Sequence, residues 1–191
     1  MSPPPPRERR RPWTRLASAG LAGHVFFELG AGVGMPFASV VGAVPAAAAW
    51  AAGTAAVQRA AGAPGRDTAL AVTNGIGLAA VVAHLAGWPR RRTRLGLPWL
   101  TDCEGLGPEL MRWYNPLVHG GGGAALAALL AENRQAPRWA GAAPLLLVPV
   151  LVLVQHAEHA RLVRLAQRHP HWWNRRLQDR AVSPAGGAGQ D

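Results

Sequence analysis

The sequence contains no lysine: its 20 basic residues are all arginine, set against 10 acids for a formal net charge of +10. With 23 Gly, 17 Pro and long alanine runs, this bias marks a GC-rich coding sequence and carries no function. Cysteine is nearly absent. Cys103 stands alone, which excludes an intramolecular disulfide and a zinc site built on cysteines. The glycine run Gly120–Gly123 lacks the Lys-Ser/Thr that follows a phosphate-binding loop. Acids are so scarce that between Arg15 and Arg59 there is one, Glu28. No DNA- or RNA-binding motif accompanies the positive charge, so nucleic acid is not expected as a partner.

What remains is a set of apolar blocks punctuated by arginine. Mean hydropathy is only +0.05, because charge and apolarity are segregated. Residues 16–58 are 43 in number, and as one helix they would run roughly 64 Å, about twice the hydrocarbon core. The chain must bend, and Gly30, Gly32, Gly34 and Pro36 supply the place. The expected helices are 14–34, 37–59, 68–88, 113–131 and 139–160, the last kinked by Pro144 and Pro149. Residues 89–112 read as a basic connection with a short interfacial helix at 101–112. The fold class expected is all-α: an integral membrane helical bundle of four to five transmembrane helices. Its parts are a disordered Pro/Arg-rich tail (1–12), the bundle (13–165), a basic juxtamembrane helix (166–182) and a disordered tail (183–191). The first block is too long for a cleaved secretory signal, contains Glu28 and runs into a second apolar block.

Arginines cluster at block ends (Arg7, Arg9, Arg10, Arg11 and Arg15; Arg90, Arg91, Arg92 and Arg94; Arg161, Arg164 and Arg168), and most of the eight tryptophans lie there too. That placement suits lipid phosphates and an interfacial aromatic belt. Five crossings with the N-terminus inside put nine arginines inside and eleven outside. If 113–131 does not cross, the division is thirteen to seven with both ends inside. The expected location is the cell membrane, multi-pass, with a cytoplasmic C-terminus. The expected partners are membrane lipids, with anionic headgroups at the arginine clusters. A protein partner or a homo-oligomer is left open.

Within the apolar blocks the informative pair is His24 and Glu28. Their i,i+4 spacing places them on one helix face. A carboxyl at membrane depth is costly and normally faces the bundle interior with a partner. The pair is the candidate catalytic couple, His24 exchanging a proton while Glu28 orients it; a structural pair is the alternative. Gly30, Gly32 and Gly34 could frame a ligand pocket as unwound backbone, or form a close GxxxG crossing. Asn74, Asn115 and His119 are further candidate ligand-binding residues. His156 and His159, three apart, would need ligands such as His24, Glu28, His84 or His119 to hold a metal; no metal site and no cofactor is assigned. Glu158 is expected to pair with Arg161. Thr101-Asp102-Cys103-Glu104-Gly105 reads as a helix cap with first-turn acids.

His24-x-x-x-Glu28, Glu104 after Cys103, and Leu130-Ala131-Glu132-Asn133-Arg134 together resemble the EXPERA group, which includes sterol isomerases and related five-helix lipid-handling proteins. The general look is similar to small polytopic membrane proteins of GC-rich bacteria. The EXPERA resemblance implies a membrane His/Glu pair and further acids around a lipid substrate. The chain departs from that pattern in carrying the pair on its first helix rather than its second. The functional expectation is a membrane protein binding or acting on a lipid-like molecule at His24 and Glu28. The alternatives are a small transporter, the membrane subunit of a larger complex, or a structural protein. Whether it is an enzyme is not decided by sequence.

Overall fold

The computed structural model describes residues 10–180; the first nine residues of the expected 1–12 tail and the expected tail at 183–191 lie outside them. The fold is almost wholly helical. The helices are α1 (Pro12–Ala31), a single turn α2 (Ala38–Val41), α3 (Ala43–Gly62), α4 (Asp67–Gly87), α5 (Gly107–Ala131), α6 (Arg138–Ala142) and α7 (Val148–Arg168). α6 and α7 join through a 3-10 segment, Ala143–Leu147, at Pro144, so Arg138–Arg168 is one kinked rod. Two helices among the described residues, Asp67–Gly87 and this rod, are both long and apolar enough to cross a membrane.

α5 is central, packing along α1 and α4. Small residues allow the approach. A Cβ on Gly20 of α1 would lie 2.7 Å from Gly121 Cα of α5, and one on Gly75 of α4 would lie 2.5 Å from the Gly141 carbonyl of α6. The GxxxG reading of Gly30 and Gly34 is therefore corrected. Gly30 meets nothing within 4 Å, and Gly34, at φ +94°, lies beyond the end of α1.

Four local expectations also change. Residues 101–112 do not form a separate helix. α5 begins at Gly107, with Pro108 in its first turn, and runs unbroken through Pro116. The connection before it contains a two-stranded hairpin, β1 (Arg90–Arg92) and β2 (Pro98–Leu100), antiparallel with Arg90 opposite Leu100. Gly96, at φ +77°, makes its turn. The basic helix expected over 166–182 stops at Arg168, because His169 precedes Pro170 and takes a non-helical conformation. Residues 169–180 fold back as turns that bury Trp173, Asn174 and Leu177. Finally, Arg11 falls within the tail expected over 1–12, yet it is among the largest fully buried side chains.

The ends of α1 are closed by distant residues. Its N-terminus has no side-chain cap of its own. Instead Glu132, just after α5, accepts from Trp13 N (2.7 Å), Thr14 N (2.9 Å) and Thr14 Oγ1 (2.8 Å). A carboxyl at a helix N-terminus satisfies orphan N–H groups and suits the dipole. Asn74 Nδ2 donates to Thr14 Oγ1 (3.0 Å) and to Asn133 Oδ1 (2.9 Å), tying α4 into the same network. At the other end, Gly32 is left-handed, and Arg176 donates from its N to Gly32 O and from its Nε to Ala31 O. Glu132→Ala is expected to lower stability by about 1–2 kcal/mol, the worth of a helix cap, read as a lower thermal midpoint. Glu132→Gln, which keeps one acceptor, should fall between.

Candidate functional site

α1 turns His24 and Glu28 inward, as their spacing requires, and both are buried. Glu28 is 1% exposed. Two other helices bring partners to it. Tyr114 of α5, the only tyrosine, is buried and donates its hydroxyl in a short hydrogen bond to Glu28 Oε1. His84 of α4 places Nε2 3.8 Å from the same oxygen, too far for a hydrogen bond. The His24 and His84 rings meet edge-on with centroids 5.3 Å apart, and Tyr114 lies 6.0 Å from His24.

The loop 101–106 closes the cluster from the α5 side. The Cys103 thiol is buried and donates to Tyr114 Oη at 3.7 Å, so thiol, phenol and carboxyl form a relay ending on Glu28. Burial, then the charge of Glu104 beside it, pushes the Cys103 thiol well above its usual pKa, which makes it a poor nucleophile. Glu104 sits in a left-handed backbone conformation, φ +51°, which is uncommon for a non-glycine residue and is held here by its surroundings. Burial, then Glu28 and Glu158, raises its carboxyl well above the ordinary range. Asp102 fixes the loop. It accepts from Cys103 N and Gly107 N, and Arg180 donates to it at 3.0 Å and to Gly105 O at 3.2 Å. Partial burial opposes ionisation of Asp102, but the Arg180 and backbone donors outweigh it and hold its pKa below normal.

A cavity of about 320 Å³ adjoins the cluster between α1, α3, α4 and α5. Leu21, Val57, Val81 and Leu117 give it an apolar wall, and His24, Trp50 and Asn74 also line it. The Trp50 indole N–H is buried with no hydrogen-bond partner.

The other candidates are dispersed. Asn74 lines the cavity, although its amide is engaged with Thr14 and Asn133. Asn115 and His119 serve the hairpin. Asn115 exchanges two hydrogen bonds with the Leu100 backbone, and His119 contacts Pro98 O and stacks on Trp99. Gly30, Gly32 and Gly34 do not line the cavity. Gly32 packs on the Trp172 carbonyl and Arg175, and Gly34 on Leu162, so this break docks α7 and the C-terminal turns. His156 and His159 pack on Trp88, at 4.7 and 5.2 Å between ring centroids, and form no metal-sized group among the described residues. Glu158 does meet Arg161, at 3.9 Å, and also accepts from Ser39.

Sequence reasoning missed Tyr114 as a member of the site and placed His84 only among distant metal candidates. Each carried a signal. His84 is an ionisable side chain inside an otherwise uncharged apolar helix pattern, and such residues face a bundle interior. Tyr114 lies at a junction where only its hydroxyl hinted at a partner.

No family model matches the chain, and no curated protein or solved structure is similar to it.

Proposed function

We propose that the chain is an α-helical integral membrane protein with four or five spans that binds a small apolar or amphipathic molecule in the cavity beside His24. It lies in the cell membrane with its C-terminus cytoplasmic, where Arg161, Arg164, Arg168, Arg175 and Arg176 meet anionic headgroups. Support for the membrane comes from an inverted exposure pattern. Leu146, Val44 and Leu153 are 80%, 79% and 70% exposed, whereas Arg11, Glu28 and Asn115 are 2%, 1% and 0% exposed. Water favours the opposite, and so much outward apolar surface calls for a non-aqueous neighbour.

The observation that carries the ligand reading is the apolar cavity with one unpartnered donor, Trp50 N–H, and one imidazole, His24, in its wall. Its volume is at the small end of the ~300–1,000 Å³ typical of ligand pockets, which suits one ring system or short chain rather than a two-chain lipid. A hydroxyl or carbonyl on that molecule would satisfy Trp50. Chemistry on the bound molecule falls to His24, with Glu28 and Tyr114 behind it.

The test is extraction of bound small molecules from purified protein, identified by mass spectrometry. Gly77 borders the cavity and has nothing within 4 Å of its would-be Cβ. Gly77→Leu should therefore fill the space without disturbing the bundle, and bound molecules should fall to the level of empty micelles at unchanged yield. Equal recovery from wild type and variant would overturn the ligand reading. Recovery of the chain as a compact monomer without detergent would overturn the membrane reading.

A further inference from the structure

His24 and Glu28, both buried, and the partly buried His84 each offer a donor atom, and the three atoms lie within 4.8 Å of one another. From the placement of these donor atoms we infer that these three residues bind one divalent transition-metal ion of the zinc class.

The case begins with the tautomer of His84. Its Nδ1 lies 3.0 Å from the carbonyl of Ala80, an acceptor only, so Nδ1 carries the proton. Nε2 of the neutral ring is then a bare lone pair. It is buried, has no hydrogen-bond partner, and faces Glu28 Oε1 at 3.8 Å. Two lone pairs facing each other in a dry interior need a proton or a cation between them. His24 supplies the second imidazole from α1, its ring meeting that of His84 edge-on at 5.3 Å between centroids. Metal-binding histidines characteristically donate their second N–H to a carbonyl or carboxyl, which fixes the ring and frees the other nitrogen.

Glu28 completes the set. Tyr114 occupies Oε1, while Oε2 is buried and unpartnered. A second carboxyl, Glu104, lies in an adjoining group with His84 and Cys103. Among the described residues no arginine pairs with Glu28 or Glu104: Arg180 is engaged by Asp102 and Arg161 by Glu158. A divalent cation on Glu28 supplies the positive charge that no guanidinium provides there.

The donor chemistry selects the ion. Two imidazoles and one carboxyl are the three-ligand pattern of zinc sites that keep a fourth position open. Nitrogen donors disfavour magnesium and calcium, which prefer all-oxygen shells. Ligand atoms about 2.0–2.2 Å from zinc are about 3.3–3.6 Å apart in a tetrahedron. The observed group reaches that by a small inward closure. Cys103 is outside the set, its S–H being given to Tyr114. Since His24 also lines the cavity, the ion and the cavity share a wall.

The site does not depend on the ligand reading, because metal is read by elemental analysis and bound lipid by extraction; either can fail alone. The full chain, purified in detergent and stripped with chelator, is titrated with cobalt(II) and, separately, loaded with zinc. The expected result is one equivalent of zinc per chain and visible d–d bands of low-coordinate cobalt without a thiolate charge-transfer band. His84→Ala should reduce retained zinc to background, while Cys103→Ser should keep the full equivalent. The cobalt titration of wild type needs no variant to fold, and circular dichroism checks the variants. Failure of wild type to retain metal would assign the gap to a proton shared by His84 and Glu28 and overturn the site. A full equivalent in folded His84→Ala, or a thiolate band, would overturn the ligand set.

Discussion

Arg11→Met is expected to destabilise the protein by about 3–5 kcal/mol, the cost of removing one partner from a buried ionic network. Arg11 Nη1 donates to the carbonyls of Ala61 (3.1 Å) and Ala63 (2.8 Å) at the end of α3, and Nη2 donates to Asp67 Oδ1 (3.2 Å) at the start of α4. One guanidinium thus closes two helix ends beside the beginning of a third. The side chains of the pair are only 2% and 9% exposed. An exposed pair would be worth about 0–1 kcal/mol. Burial decides the larger figure, because Met removes a charged donor from carbonyls and a carboxyl in a dry site. Arg11→Lys should recover only part of the loss, since an ammonium cannot fork to carbonyls and carboxyl together. Arg161→Ala is the control: Arg161 is 57% exposed, so its loss should change stability by about 0.5 kcal/mol or less. Thermal unfolding in detergent reads all three. An Arg11→Met midpoint matching that of Arg161→Ala would show that Arg11 is not engaged at this junction.

The second large effect is at the crossing of α1 and α5. Gly20→Val is expected to cost about 3 kcal/mol or more, the upper end for overpacking. The atoms in the way are Gly121 Cα at 2.7 Å and Gly121 N at 3.1 Å, and backbone cannot move aside as a side chain would. The helices would have to separate, disturbing the interface that sets Tyr114 against Glu28. Gly123 is two residues along α5 from Gly121 and has nothing within 4 Å. Gly123→Ala should be neutral or stabilising by roughly 0.5–1 kcal/mol, because alanine loses less backbone entropy in a helix. The contrast between two glycines of one run separates close packing from helix propensity. Similar melting of the two variants would mean that α1 and α5 do not meet at Gly20.

If the ion and the cavity are both present, the bound molecule would sit beside a Lewis acid and a Cys–Tyr–Glu relay. That would place the protein nearer an enzyme than a passive scaffold. The Gly77→Leu and His84→Ala variants separate the two contributions, one acting on occupancy and the other on metal.

The apolar helices were legible because their signal is local. The sequence predicts a helix over Thr68–Trp88 and α4 runs Asp67–Gly87, since an uncharged, mostly apolar stretch between Asp67 and Arg90 identifies itself despite the polar Thr73-Asn74-Gly75. The break after Gly30 was legible for the same reason, as glycine and proline act on their own backbone. His24 and Glu28 were found together because i,i+4 spacing is fixed by the helix alone. Where a neighbour had to be supplied from afar, sequence reasoning fell short. α5 starts at Gly107, six residues before the expected 113, because Pro116 near the expected start is a tolerated interior residue of a longer helix. Arg11 was assigned to the tail by its Pro- and Arg-rich company, although its partners lie about fifty residues on.

The sequence by itself determined the helical class, the long apolar helices of the first 88 residues and the His24–Glu28 pair on one helix face, because these follow from hydropathy and a 3.6-residue turn. Only the tertiary structure decided that Glu28 meets Tyr114, 86 residues away, that His84 turns a bare nitrogen toward it, and that Glu132 and Arg176 close the ends of α1. Those contacts depend on which helices cross and how closely. The crossings are set by individual glycines such as Gly20 and Gly75, whose packing role has no periodic trace along the chain.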